Sequence, residues 1–345
     1  MFVLVSSRNN YNLFENFFLK NNDLPNSKII NCDAGSTTEN KNIGIEICNK
    51  NNINFYEPKN FEIQLILSEV IEKFINKSNS KWLLCLHTDS YLRVGEYKKL
   101  IKLLNNDYFD KFGLIGLNTI FWPHTKKIED IKFDKFYFGL MGKSILSDVS
   151  YSVYGPHTIK NRLEQKKWNN LTAVETVMDI GYLINMKNFR KFIKPSNKFP
   201  FICSIDDIGL QFLNNNIYNV TLPDVYCIHD PWVKKKYNMP VSSPIDLKKQ
   251  FNKNFYNDDL SFFHHWKKKW KYDRKFKTVL KKPILNNNIF KKTYTFLNNI
   301  RRPSKVKIDN EAKLFYKDNL IAEFINHKKN IPLAIFKDYE KFINN

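Results

Sequence analysis

The first 117 residues alternate short apolar runs with segments whose apolar residues recur at helical spacing. A chain patterned this way is constrained to a mostly parallel sheet with helices on both faces. Strands are expected at Phe2–Ser6 (FVLVS), Lys28–Asp33 (KIINCD), Ile53–Glu57 (INFYE), Trp82–Leu86 (WLLCL) and Phe112–Leu117 (FGLIGL). Between them, NLFENFFLK, IGIEICNK, Phe61–Asn76 and Gly95–Leu104 carry the apolar stripe of an amphipathic helix. Right-handed crossovers bring the strand ends after Ser6, Asp33 and Leu86 to one edge of the sheet. Ligands of open α/β sheets bind beyond that carboxyl edge.

From Asn118 to about Asn170 the period is lost, and aromatic, glycine and basic residues mix in FWPHTKK, FYFGLMGKS and YSVYGPHTIK. Such an insertion reads as a substrate-facing region, a lid or plain surface loops. Met178–Ile193 returns to a strand followed by a helix. Ser204–Asn216 (SIDDIGLQFLNNN) is a helix opened by an acidic pair, and Val220–Asp230 is an extended segment ending in His-Asp. Past Pro231, KKKYNMPVSSPIDLKKQF reads as a linker. The remainder is basic and aromatic, with a hairpin expected around the KDN of its last forty residues. The expected organisation is therefore an α/β domain over residues 1–235 and a basic extension over 236–345.

Net charge is +21, of which +14 falls between Val241 and Asn345, where 24 Lys and Arg face 10 Asp and Glu. A basic surface of this kind attracts nucleic acid, anionic lipid or phosphorylated ligands; it is also what a solvated face of a Lys- and Asn-rich chain looks like. The five cysteines (Cys32, Cys48, Cys85, Cys203, Cys227) form no CxxC pair and read as buried, reduced thiols. No apolar run reaches the roughly 18 residues of a membrane span, and MFVLVSS lacks the basic leader of a secretory signal. A cytoplasmic protein is expected, one that docks at most on the inner face of a membrane. The absence of GxxxxGK[ST], GxGxxG and GxSxG gives no support to P-loop, dinucleotide-binding or serine-hydrolase readings.

Polar clusters close four of the apolar segments: SSRNN, CDAGSTT, HTDS and IHD. A fifth, SIDD, opens a helix. In this order they resemble the nucleotide-diphosphosugar transferases of the GT-A fold, closest to family-2-type glycosyltransferases, over roughly Met1–Trp232. The resemblance implies a sugar-nucleotide donor (UDP- or GDP-linked), a glycan or lipid-linked acceptor, a divalent Mn²⁺ or Mg²⁺ ion and inversion at the transferred sugar. Two positions depart from the family. His87 stands first in the DxD-like motif LHTDSYL, and Thr38 stands where a second Asp usually follows the turn after Asp33, a capping exchange because Thr also bonds backbone N–H groups.

The chemistry accounts for the residue types. Negative charge develops on the departing diphosphate, and a cation held by a carboxylate and imidazole neutralises it. The resemblance assigns metal contact to Asp89 and His229, with His87 a third ligand acceptable to Mn²⁺. It assigns the nucleotide to Arg8, Asp33, Gly35 and Ser36, beside His87 and Asp89. Asp207, with Asp206 as its neighbour, takes the place of the general base that removes the acceptor's hydroxyl proton. Two carboxylates at a helix start are also ordinary caps, and Arg8 is also an ordinary surface charge. His124 and His157, in the irregular region, read either as acceptor contacts or as surface-loop residues, and the pair His264–His265 lacks the spacing of a metal site with any carboxylate. Two other readings stay open: a nucleic-acid-binding protein that stacks bases on its basic aromatic region, and a transferase relative that has lost catalysis and only binds glycan.

Overall fold

The computed structural model describes residues 1–75, 80–121, 176–199, 204–215, 217–230 and 233–237, together with strands 139–140, 142–143, 172–174, 313–316, 319–326 and 332–335. The α/β class is observed. In chain order the strands are β1 (Phe2–Ser7), β2 (Ile29–Asp33), β3 (Asn54–Tyr56), β4 (Trp82–His87), β5 (Ser90–Leu92), β6 (Phe112–Phe121), β7 (Gly139–Leu140), β8 (Gly142–Lys143), β9 (Thr172–Val174), β10 (Thr176–Val177), β11 (Tyr182–Asn185) and β12 (Tyr218–His229). Three more follow: β13 (Lys313–Tyr316), β14 (Asn319–Asn326) and β15 (Pro332–Ile335).

The centre of the sheet runs β3-β2-β1-β4-β11-β6-β12. Strands β3, β2, β1 and β4 are mutually parallel, and β6 is parallel to β12. Because β11 pairs antiparallel with both β4 and β6, it is the one reversed strand of these seven. The carboxyl ends of β1, β2, β4 and β12 therefore share one edge. Strands β13 and β14 form the hairpin expected around KDN, and β15 joins it to the main sheet through β9.

Strand alternation sorts the core into two layers. Val3, Val5, Trp82, Leu84 and Leu86 face the helical stretch 11–21 and the helices Thr38–Lys50 and Glu96–Leu104. Phe2, Leu4, Leu83 and Cys85 face the helices Ile63–Ile75, Met186–Phe192 and Ser204–Asn214. Each large side chain buried here contributes about 1.5–3 kcal/mol, and both layers are filled, so the sheet is clamped from both sides. Residues 11–21 are helical throughout, with a widened π turn over Phe14–Phe18. That stretch buries large side chains in two directions: Tyr11, Phe14 and Phe18 into the main core, Leu13 and Phe17 against Val233.

The structure corrects four boundaries. β6 continues to Phe121 because Asn118–Phe121 pair with Tyr226–His229 of β12, a long-range ladder that local periodicity does not encode. β12 itself starts at Tyr218 and shifts register between Leu222 and Tyr226. The second helix begins at Thr38, and its cap is Thr37, whose Oγ1 accepts from Asn40 N–H; Thr38 is the first helical residue and not the cap. Finally, the KKK expected to open a linker belongs to the helix Val233–Lys236, and Tyr237 just beyond it donates its hydroxyl to Asn16 O. Cys32, Cys48, Cys85 and Cys227 are free and buried, and burial pushes their thiols up, those of Cys48, Cys85 and Cys227 to about 12. They are protonated and inert at neutral pH.

Candidate functional site

The carboxyl edge is built from three loops stitched to one another. After β1, Asn9 N–H donates to Ser36 Oγ and Asn9 Oδ1 accepts from Thr37 N–H, which ties SSRNN to the turn after β2. Asn10 Nδ2 donates to Thr88 Oγ1 at 2.8 Å, which ties the same loop to the turn after β4. Register sets the strand ends level: Ser7 lies opposite Asp33 and Ser6 opposite His87. Arg8 sits half-buried at the head of this stitched loop.

Asp33, 2% exposed, organises its own turn. Its Oδ1 accepts from the N–H groups of Gly35 and Ser36 at 2.9 and 2.7 Å, and Gly35 adopts φ 90°, the left-handed region that glycine enters without strain. Its Oδ2 accepts from the Tyr11 hydroxyl at 2.6 Å. Burial and this bond to a carboxylate push the Tyr11 phenol far above its ordinary value, so it remains a donor. Helix Thr38–Lys50 packs directly on that phenol: a Cβ on Gly44 would lie 2.3 Å from the ring. The turn that carries Gly35 and Ser36 is thus fixed from below by one tyrosine.

The DxD-like turn is fixed just as firmly. Ser90 Oγ accepts from His87 N–H and donates to His87 O. Ser90 pairs with His229 across β5 and β12, and Asp89 O accepts from Asp230 N–H at 2.8 Å. His87, Asp89 and His229 converge in consequence, each offering a ligand atom within 4.8 Å of the others. Asp89 is 1% exposed; its Oδ2 lies 3.1 Å from His229 Nε2 and 2.7 Å from Lys234 Nζ, and its Oδ1 lies 4.0 Å from His87 Nδ1. Burial pushes the Asp89 carboxyl up, but His229, His87 and Lys234 outweigh it and hold the group well below the usual carboxylate range. Asp89 is a buried anion with three basic side chains gathered around it. One carboxylate with two imidazoles is a donor set that first-row divalent ions such as Mn²⁺ accept, so the residues fit a metal.

The acidic pair reaches the same edge by a different route. Helix Ser204–Asn214 runs back towards the start of β12, so its first turn stands at the carboxyl edge. Asp206 and Asp207 occupy that turn, 3% and 2% exposed. Asp207 Oδ2 accepts from Gln64 Nε2 at 2.9 Å and from Gln211 Nε2 at 2.8 Å. Gln64 is fully buried, donates also to Ser204 O and accepts from Ser196 N–H, so one amide locks the helix start to its neighbours. The carboxylate is oriented by fixed dipoles, as a proton acceptor needs to be.

The structure thus brings His87, Asp89 and His229 into one cluster. Arg8, Asp33, Gly35 and Ser36 lie in the adjoining loops, and Asp206 and Asp207 at a helix start on the same edge. Sequence reasoning missed Tyr11, Gln64, Gln211 and Lys234. Tyr11 and the glutamines stand in apolar helical stripes, where a polar residue at a core position was the available signal. Lys234 was hidden in a lysine run. His124, His157, His264 and His265 lie outside the described residues, as does the basic aromatic stretch. No helix among the described residues is long and apolar enough to cross a membrane.

No family model matches the chain, and no curated protein matches it. Among solved structures it is similar to GalNAc-T7 with UDP, GalNAc and Mn²⁺, with 11% identity, TM-score 0.45, and coverage of 79% of this chain and 58% of that one. It is also similar to S. aureus TarS, with 10% identity, TM-score 0.38, and coverage of 79% and 44%. A third match is S. aureus TarS 1-349 in complex with UDP-GlcNAc, with 11% identity, TM-score 0.37, and coverage of 77% and 72%. The chain spans only about half the length of the first two. Likenesses this distant assign no function.

Proposed function

We propose that this protein is a glycosyltransferase that moves a sugar from a nucleoside-diphosphate donor to a hydroxyl of a glycan or lipid-linked acceptor, with inversion and with a divalent metal. The observation that carries the reading is the convergence of His87, Asp89 and His229 on the carboxyl edge, where Asp33 and Asp207 also stand. Such an edge is where α/β sheets bind nucleotides. In this reading the loops after β1 and β2 receive the nucleotide, with Arg8 at the phosphates and the turn of Asp33, Gly35 and Ser36 at the nucleoside.

Asp89, His229 and His87 would hold the metal, which when bound neutralises charge on the diphosphate. The acceptor oxygen attacks the anomeric carbon as the bond from that carbon to the diphosphate oxygen breaks. The electron pair leaves with the diphosphate, and Asp207 takes the acceptor's proton. Gln64 and Gln211 hold the Asp207 carboxylate in position for that proton. Burial of Asp89 and Asp207 keeps bulk water from competing for either carboxylate. The basic extension would bring the enzyme to an anionic membrane face where lipid-linked acceptors lie.

Calorimetric titration with UDP and with GDP, with and without Mn²⁺, tests the donor site beside Asp89→Ala. Nucleotide binding that Mn²⁺ strengthens in wild type but not in Asp89→Ala is the expected result, and it names the base. If neither nucleotide binds under any condition, the transferase reading falls.

A further inference from the structure

Lys234 is the residue of the site that the proposed reaction leaves without a role. It belongs to the helix Val233–Lys236, whose start is capped by Asp230 Oδ1 accepting from Val233 N–H at 3.2 Å. Val233 is buried against Leu13 and Phe17, and Tyr237 bonds to Asn16, so this element is anchored on the helical stretch 11–21. From there the Lys234 side chain, 38% exposed along its length, delivers its ammonium to within 2.7 Å of Asp89 Oδ2, nearer than either histidine. A cation thus already sits on the carboxylate that a metal ion would need. Ammonium and divalent ion repel each other and compete for the same oxygen. A flexible, partly exposed lysine is the partner of Asp89 that is free to swing outward, whereas His229 is held in β12 and His87 at the end of β4.

We propose that Lys234 guards Asp89 in the nucleotide-free protein and moves to the donor's diphosphate when it arrives, so that metal and nucleotide bind in a linked manner. This rests on the reading of the edge as a sugar-nucleotide site. It goes beyond that reading by assigning a diphosphate ligand and an order of events. A diphosphate offers the ammonium a stronger anion than one shared carboxylate, and its departure from Asp89 Oδ2 opens that oxygen to the metal. Without nucleotide, Lys234 and Asp89 neutralise each other and the affinity for metal is low.

The test is Mn²⁺ binding followed by the electron paramagnetic resonance signal of the free ion. It uses the full chain as wild type, Lys234→Met and Lys234→Arg, each shown by circular dichroism to be folded. Lys234→Met is expected to bind Mn²⁺ alone at least tenfold more tightly than wild type. Metal-free inorganic pyrophosphate and UDP should bind that variant at least tenfold more weakly. Lys234→Arg keeps a cation and should follow wild type in both. Equal or weaker Mn²⁺ affinity in Lys234→Met, or no Mn²⁺ binding to either protein, overturns the guard. Unchanged pyrophosphate and UDP affinity overturns the transfer of Lys234 to the diphosphate. Tighter Mn²⁺ binding in Lys234→Met, with no nucleotide bound by any of the proteins, would uphold the guard and instead sink the transferase reading.

Discussion

Replacing Gly44 by alanine tests the link between the core and the turn after β2, which the proposed reading gives to the nucleoside. In an ordinary helix interior this change stabilises by about 0.5–1 kcal/mol, because glycine loses more backbone freedom on folding. Here the new methyl would lie 2.3 Å from two carbons of the Tyr11 ring, more than an ångström inside van der Waals contact. The ring is 1% exposed and its hydroxyl is bonded to Asp33, so it has nowhere to go without breaking that bond. Overpacking costs about 1–3 kcal/mol, and losing a hydrogen bond to a buried carboxylate costs about 1.5–3 kcal/mol. Set against the helix gain, a net destabilisation of about 1.5–5.5 kcal/mol is expected. Urea unfolding monitored by far-UV circular dichroism measures it, with Tyr11→Phe as the companion. Tyr11→Phe alone should lose about 1.5–3 kcal/mol, but much less in the Gly44→Ala background, where the bond is already broken. Nucleotide affinity should fall in both variants as the turn of Gly35 and Ser36 loosens. A Gly44→Ala protein as stable as wild type would refute the reasoning.

Two further outcomes follow from the carboxylates. The folded-state value of Asp89 is depressed, so its contribution to stability is present above the ordinary value of 3.8 and is lost as pH falls through the depressed one. Asp89→Asn should therefore be about 2 kcal/mol less stable than wild type at pH 7, the worth of a charged hydrogen bond, and the gap should close as thermal melts are taken to lower pH. Asp207→Asn should fold and bind donor as wild type does but lose transfer by about 10²–10⁴-fold, the usual worth of a general base, as read by release of nucleoside diphosphate in single-turnover reactions.

The sequence by itself determined the α/β class, because strand and helix periods alternate without ambiguity from Phe2 to Leu117, and strand alternation alone tells which residues enter which layer. It also placed the polar clusters at strand ends, since an apolar run that stops at Asp33 or His87 stops at the edge of the sheet. What the tertiary structure decided is everything that depends on long-range pairing. The reversal of β11 and the extension of β6 to Phe121 rest on partners scores of residues away, and no local period records them. His229 meets Asp89 because β12 pairs with β5, although they stand 140 positions apart in the chain. Tyr11 stands just ahead of the expected helix NLFENFFLK and draws no notice until Gly44 and Asp33 close around it, and Lys234 reads as one more lysine in a basic run. Its role at Asp89 comes from the anchoring of a single helical turn on Leu13 and Phe17, a packing decision made far from either charge.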